Sequence, residues 1–322
     1  LEVGMEDGYV NIISPIDGSP AAGAGLQSGD VILKLDKAPV KGMSLNEAID
    51  IMRGPKGTEI QLTIGRPGEG QPFDVTLVRD VIKIASVRQR WLEPGYGYIR
   101  VAQFQGSTGE DVRRSLTKLM QEQELNGLVL DLRNNPGGIL RSSVDVAGLF
   151  MDGGTVVYTE GRLANSDVHY DAEAAAASEG TPLVVLINSG SASASEIVAG
   201  ALQDHGRAVV MGTPSFGKGS VQTILPLSKS RAVKLTTALY YTPNGRSIQA
   251  EGIAPDILVE RARVTAYESP GRVKEADLSG HLNNSNGGNG DKTPESVRKL
   301  SSELLAQDNQ LYEALTLLKG LN

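Results

Sequence analysis

Residues 182–202 constrain the fold most strongly, because a strand pattern is followed there by a helix pattern after only a short connection. The run Pro182–Ile187 is short and continuously apolar, as expected of a buried strand. Glu196–Leu202 has helical spacing with an acid in its first turn. Between them lies a serine-rich segment, Gly190–Ser195. A hydroxyl there would sit at a helix N-terminus, where free backbone N–H groups stabilise developing negative charge.

An amine follows in the sequence Phe-Gly-Lys-Gly, with Lys218 placed 25 positions after Ser193 (218 − 193). The pair suits a serine nucleophile and a lysine base in a chain with three scattered histidines. A lysine accepts a proton only when neutral, so its pKa must fall from about 10.4 to about 7–8, which burial among apolar groups achieves. If Lys218 opens a strand, it shares a face with Ser220 and Gln222, and Gln222 could then orient the amine.

Some alternatives stay open at this point. Spacing alone does not separate Ser193 from the neighbouring serines 189, 191 and 195 as nucleophile. A lone lysine is commonly a solvated surface charge. His205, at a helix end, has no catalytic role in this interpretation.

Residues 1–83 are predicted to form one small module of short strands around a helix that begins with a capping box, Ser44 with Glu47. Its segment Ser19–Asp30, with the pattern Ser-Pro-Ala…Ala-Gly-Leu…Gly-Asp, resembles the signature of PDZ domains of bacterial proteases, as does Arg53–Thr58. A generic β-rich module is the simpler alternative.

A PDZ domain accepts an extended peptide as an added strand. Leu1–Val3 resembles the end of its carboxylate-binding loop, and Leu1 is not a natural start, so we expect the native N-terminus to be missing. The candidate groove residues are Leu1, Val3, Leu45, Ile49 and Met52, although some of the three helix residues must face the module's own core.

Residues 84–262 alternate strand and helix patterns, which predicts an α/β core. Residues 221–241 have the pattern of successive strands, so the sheet is expected to be mixed. A second capping box is predicted at Ser107 and Glu110. The loop Arg133–Gly138, called the oxyanion loop below, follows a buried strand pattern. Two donors are needed for an oxyanion: Ala194 N–H is one candidate and Gly138 or Gly137 the other, with a simple tight turn as the alternative.

Residues 188–200 together with Gly212–Gln222 resemble the active-site signature of the bacterial carboxy-terminal processing proteases, which are PDZ-containing serine proteases with a Ser-Lys dyad. The resemblance runs from about residue 1 to about 260. It implies Ser193 as nucleophile, Lys218 as base and Gln222 as the lysine-orienting residue. It also implies protein or peptide substrates, a periplasmic location and, in some members, a lipoprotein adaptor.

The composition excludes several classes of protein. A net charge of −7 and a pI near 5.2 argue against nucleic acid as the main partner. No apolar stretch reaches the about 18 residues of a membrane span. Cysteine is absent, which excludes disulfides and thiol catalysis. No metal-binding pattern is present, so neither a metal nor a cofactor is expected.

Residues 263–322 form a tail. Residues 283–290 have the composition of a flexible linker, and a helix is predicted from Thr293 to Lys319. Its apolar stripe is made of Val297, Leu300, Leu304, Leu311, Leu315 and Leu318. The stripe predicts either docking on the chain's own core or a homo-oligomer interface, and we expect the latter.

Two other functions remain open on sequence grounds. One is a peptide-binding PDZ scaffold on a catalytically silent hydrolase, which labelling by a serine-reactive phosphonate would separate from an active enzyme. The other is a Ser-Lys amidase of small amides, against which the PDZ-like module argues. The expected architecture is α/β (mixed α+β): a PDZ module, a mixed-sheet serine protease core and a helical tail.

Overall fold

The structure is a computed structural model. It describes residues 1–16, 18–82, 86–162, 167–174, 176–178, 180–228, 231–262, 264, 279 and 304–321. The predicted linker at 283–290 and the predicted helix start at Thr293 lie outside these residues.

The N-terminal module is one antiparallel sheet with two helices. Its elements are β1 (Glu2–Glu6), β2 (Tyr9–Ser14), α1 (Pro20–Gly23), β3 (Val31–Leu35), β4 (Ala38–Pro39), α2 (Leu45–Met52), β5 (Glu59–Gly65) and β6 (Phe73–Val78). The strand order is β1-β2-β3-β5-β6, with β4 paired to β3. The predicted capping box of α2 is confirmed: Glu47 N–H donates to Ser44 Oγ at 3.3 Å, and Ser44 N–H to Glu47 Oε2 at 2.8 Å.

The central sheet of the second unit has the order β16-β13-β12-β9-β8-β7. Its strands are β7 (Val87–Glu93), β8 (Tyr96–Val101), β9 (Gly127–Asp131), β12 (Leu183–Ile187), β13 (Val209–Gly212) and β16 (Ile257–Leu258). All neighbours pair in parallel except β7, which is antiparallel to β8. Every residue of β9 and β12 is buried, as a parallel sheet covered on both faces requires.

Helices cover both faces of this sheet. On one face pack α3 (Thr108–Glu122), α4 (Leu140–Gly148) and α5 (Ala194–Asp204), against side chains that include Leu128 and Leu130. On the other packs the C-terminal helix α6 (Asn309–Gly320), against Val129 and Val184. Successive strand residues thus serve opposite layers, as the alternation of side chains along a strand requires.

The run 221–241 departs from expectation. It forms two strands of a separate antiparallel sheet, β11-β10-β15-β14, rather than extending the central one. The strands are β10 (Asp152–Gly161), β11 (Val168–Ala174), β14 (Ser220–Ser228) and β15 (Arg231–Tyr241). The central sheet is mixed for another reason, the antiparallel edge strand β7.

The capping box expected at Ser107 is wrong. Ser107 makes no capping bond to the start of α3, and its hydroxyl donates instead to Asp111 Oδ2 at 2.9 Å. Thr108, the next residue, accepts the N–H of Gln105 on its hydroxyl at 2.8 Å and so fixes the turn before the helix.

The leucine stripe of the tail packs on the chain's own sheet. Leu311, Leu315 and Leu318 are buried on the face made by β9, β12 and β13, whereas Val297 and Leu300 lie outside the described residues. These three leucines therefore give no physical reason for self-association, and a homo-oligomer stays a prediction without this support.

Within the described part of the chain, no helix combines the length and the apolar character that crossing a bilayer demands.

The Leu315→Ala substitution tests the docking of α6. Leu315 is 2% exposed, so we expect the variant to lose about 2–5 kcal/mol of unfolding free energy, measured by urea denaturation. The matched control is Leu321→Ala, since Leu321 follows the same helix and is 54% exposed. Equal stability of the two variants would contradict the buried docking of the helix.

Candidate active site

Three loops meet at one edge of the central sheet. The oxyanion loop follows β9, the serine segment follows β12, and the Lys218 segment follows β13. Because these strands are parallel neighbours, their carboxyl ends lie together, and such an edge is where open α/β sheets bind ligands.

Ser193 begins helix α5 in an unusual backbone conformation. Its φ is 57° and its ψ −111°, a region that non-glycine residues rarely occupy. The surrounding structure must hold this conformation, since it costs on the order of 1–3 kcal/mol. The residue is half-buried at the helix N-terminus, as predicted from the strand-to-helix junction.

The structure separates the four serines that spacing could not. Ser191 and Ser195 are fully buried and donate to backbone carbonyls, Leu132 O and Asn135 O, each at 2.8 Å. Ser189 is exposed and lies 3.3 Å, oxygen to oxygen, from the hydroxyl of Ser28 in the first module. Ser193 therefore remains the candidate nucleophile at the strand-to-helix junction.

The buried carboxylate of Glu196 links the Ser193 and Lys218 segments. It accepts the backbone N–H groups of Ser193 at 2.6 Å, Gly217 at 2.6 Å and Lys218 at 2.9 Å, and the Ser215 hydroxyl at 2.6 Å. Burial raises the pKa of Glu196, and its hydrogen bonds partly offset that rise. This role of Glu196 was not predicted from the sequence. The Ser-x-x-Glu spacing from residue 193 to 196 could have revealed it, because a serine three residues before a glutamate is a capping-box signal.

Lys218 is half-buried, and its backbone is held by Glu196. Among the described residues, no hydrogen bond joins its amine to Ser193 or Gln222. The apolar surroundings expected for the Lys218 amine are only partly present, because Phe216 is 49% exposed.

The shared face expected for Lys218 and Gln222 does not hold. Strand β14 begins at Ser220, after the lysine, and its register shifts between Val221 and Gln222. Simple alternation therefore ends at this bulge, and Gln222 is exposed.

The two glycines of the oxyanion loop are sterically required. A Cβ on Gly137 would lie 2.6 Å from Ala192 O and 2.9 Å from Ser193 Cβ. A Cβ on Gly138 would lie 2.0 Å from Phe104 O, and both residues have positive φ. The missing side chains thus let the loop approach Ser193 at Gly137 and the backbone of Phe104 at Gly138.

The donors at Ser193 can also be distinguished. The N–H of Gly137 donates to Asn135 Oδ1 at 2.9 Å, so it is already engaged. The hydrogen bonds of the described residues leave the N–H groups of Gly138 and Ala194 without a protein acceptor. Gly138 and Ala194 therefore remain the candidates for the oxyanion donors that the sequence predicts.

A buried polar cluster supports the start of the oxyanion loop. Asp131 accepts from the Tyr98 hydroxyl at 2.9 Å, from Arg100 at 3.3 Å and from Arg133 at 2.7 Å. Burial opposes ionisation of Asp131, but Arg133 and Arg100 outweigh it and hold the pKa of the carboxyl below its usual range. Burial and the Asp131 charge raise the pKa of Tyr98. No local sequence pattern indicated this cluster.

The PDZ-like module contacts the site directly. The Ser14 hydroxyl, at the end of β2, donates to Asn134 O in the oxyanion loop. The Ile13 carbonyl lies within 3.1 Å of the position that a Cβ on Gly190 would occupy. One strand of the first module thus touches both the oxyanion loop and the serine segment.

A groove of about 700 Å³ lies in the first module. Four of the five candidate groove residues line it: Leu1, Val3, Ile49 and Met52. Leu45 is not in its lining and packs partly against the module's core.

The described residues contain no group of three or more His, Asp or Glu side chains able to hold a metal ion.

The Glu196→Gln substitution tests the carboxylate link. An amide would turn an NH₂ group toward two N–H or O–H donors, so we expect a loss of about 1–3 kcal/mol of unfolding free energy at pH 7. The control is Glu251→Gln, an exposed acid beside Gly217, which should change stability by less than about 0.5 kcal/mol. Unchanged stability of Glu196→Gln in urea denaturation would argue against the link.

Family models match both units of the chain. Residues 95–259 match peptidase family S41, and residues 12–66 match a PDZ domain. A solved structure titled photosystem II D1 C-terminal processing protease superposes with a TM-score of 0.72 at 34% identity, covering 81% of this chain and 71% of that one.

Named relatives agree with these matches. A carboxy-terminal-processing protease of Bartonella bacilliformis is 46% identical over 99% of this chain and 74% of its own length. A carboxyl-terminal-processing protease of a Synechocystis species is 41% identical over 85% of this chain and 65% of its own length. The chain belongs to peptidase family S41, among the PDZ-containing carboxy-terminal processing proteases of the serine type.

Proposed function

We propose that this chain is a serine endopeptidase that holds the C-terminal region of protein substrates in its PDZ groove and cleaves them with Ser193 and Lys218. One observation carries the proposal. Ser193 has a positive φ at the start of α5, beside Gly137, and Glu196 ties it to the backbone of Lys218.

In the proposed reaction, Ser193 Oγ attacks the scissile carbonyl while the neutral Lys218 amine takes its proton. The carbonyl oxygen gains negative charge and accepts the N–H groups of Gly138 and Ala194. The C–N bond then breaks, and the Lys218 ammonium protonates the leaving amine. A water molecule, deprotonated by Lys218, then attacks the acyl carbon. The ester C–O bond breaks, Ser193 Oγ takes the proton back from the Lys218 ammonium, and the second product leaves as a carboxylic acid.

This cycle requires Lys218 Nζ to reach Ser193 Oγ. In this proposal, rotation of the flexible four-carbon stem of lysine brings the amine there while Glu196 holds the Lys218 backbone. Gln222 would orient the amine from β14, which requires a change in its exposed side chain. Forming the Ser193–Lys218–Gln222 contacts is therefore a step of the proposed cycle.

The PDZ module is proposed to regulate the site as well as to bind. Its Ser14 hydroxyl contacts the carbonyl of Asn134, four residues before Gly138. A shift of the module would release this contact and alter the oxyanion loop. Domain rotation of this kind is a common switching device.

Further features extend the proposal by family resemblance. They are a periplasmic location, a lipoprotein adaptor as partner and a homo-oligomer.

The second candidate function is a PDZ scaffold without activity. It is favoured by one observation, the missing hydrogen bond between the Lys218 amine and Ser193 in the described residues.

The Ser193→Ala and Lys218→Ala variants should each abolish cleavage of a flexible protein, because nucleophile and base act as a unit. Cut ends are identified by mass spectrometry. The matched control is Ser189→Ala, which removes a nearby exposed hydroxyl and should cleave like the parent. Labelling of the parent, but not of Ser193→Ala, by a serine-reactive phosphonate would exclude the silent scaffold; cleavage by either dyad variant would refute the dyad.

The Ile49→Asp variant tests the groove. A charge in the apolar lining should raise KM for a protein cleaved near its C-terminus by about tenfold or more, while kcat for a short peptide stays unchanged. Ile51→Asp is the matched control. It places the same charge two residues further along α2, at a position that is 36% exposed and outside the groove lining. Equal KM values for the two variants would show that the groove does not hold this substrate.

A further inference from the structure

Arg133 is the first residue of the oxyanion loop, and all five N–H groups of its guanidinium donate hydrogen bonds within the protein. Asp131 accepts two of them, at 3.0 Å from Nε and 2.7 Å from Nη2. Asp308 accepts two more, at 2.8 Å from Nη1 and 2.7 Å from Nη2, and Gln310 accepts the fifth at 2.9 Å. Three of the five bonds therefore go to the C-terminal helix and its N-cap.

The position of Arg133 determines how the oxyanion loop leaves β9. Its carbonyl accepts a hydrogen bond from Arg100, and the next residue, Asn134, has a φ of 52°. A non-glycine residue keeps such a conformation only where its neighbours hold it. Asn134 is held by its N–H bond to Asn188 Oδ1 at 2.8 Å and, on the other side, by the anchored Arg133. Gly138 follows four residues later.

The C-terminal helix carries an ion pair at each end. At its start Asp308 pairs with Arg133, and near its end Lys319 pairs with Glu93 on β7. Both contacts fasten the helix to the same domain, but only the first reaches the oxyanion loop. The second therefore provides a control for helix docking as such.

Asp308 has two roles that a substitution can separate. Its carboxylate pairs with Arg133, and its Oδ1 also accepts the N–H of Leu311 at 3.1 Å as the N-cap of α6. Asparagine caps helices about as well as aspartate, so Asp308→Asn keeps the cap and removes the charge.

We propose that Asp308 is a positioning residue for the oxyanion loop: by clamping Arg133 it holds the loop where Gly138 can present its N–H group beside Ser193. Docking of the C-terminal helix and competence of the active site are thereby coupled. The catalytic consequence rests on the proposed peptidase function, whereas the clamp itself does not.

The test compares the full-length Asp308→Asn and Lys319→Ala variants with the parent on a short peptide substrate that does not occupy the PDZ groove. Asp308→Asn should lower kcat by about 10- to 100-fold, the effect of a misplaced oxyanion donor, with KM nearly unchanged. Asp308→Glu, which restores the charge, should recover part of the loss. Lys319→Ala should keep the kcat of the parent.

Amide hydrogen exchange gives a readout that does not need turnover. Asp308→Asn should speed exchange within residues 133–138, whereas Lys319→Ala and Ser193→Ala should leave exchange there unchanged. Parent-like kcat and loop exchange in Asp308→Asn, or equal changes in Asp308→Asn and Lys319→Ala, would overturn the proposal. If the parent shows no turnover, the proposed function has failed, and loop exchange alone decides whether the clamp exists.

Discussion

Three buried parallel strands, β9, β12 and β13, end at one edge of the central sheet, and the contacts of the site depend on that alignment. The register pairs Leu186 with Asp131 and Ile187 with Gly212, so the three loops leave the sheet side by side. Because both faces of the sheet are covered by helices, the strands have little freedom to slide. The loops can then be joined by short polar contacts rather than by extra secondary structure.

Those contacts are made largely by buried polar groups with backbone partners. Ser195 and Ser191 bind carbonyls of the β9 loop, and Glu196 collects donors from the Lys218 segment. Leaving such a group unpaired in the interior costs about 1–3 kcal/mol, which makes the arrangement of the three loops cooperative. The positive φ angles of Ser193 and Asn134 persist within this network.

Sequence patterns predicted the parts of the fold that local physics decides. The apolar runs of β9 and β12, the capping box at Ser44 and the strand-to-helix junction at Ser193 follow from burial, hydrogen bonding and spacing within a few residues. Long-range pairing was beyond reach: the second antiparallel sheet, the bulge at Gln222 and the bond from Asp308 to Arg133 join segments whose separation no local pattern encodes. The choice among the neighbouring serines depends on the hydrogen-bond acceptors of Ser191 and Ser195, which lie about 60 residues away in sequence.

The position of α6 in the chain has a consequence for biosynthesis. Residues 304–321 leave the ribosome after all the strands that they cover, since translation proceeds from the N-terminus. Until they emerge, the face of the sheet that carries Val129 and Val184 lacks the helix that covers it among the described residues, and Arg133 lacks three of its hydrogen-bond acceptors. A nascent chain with the PDZ module, Ser193 and Lys218 already translated therefore still lacks this part of its core and the acceptors that fix Arg133.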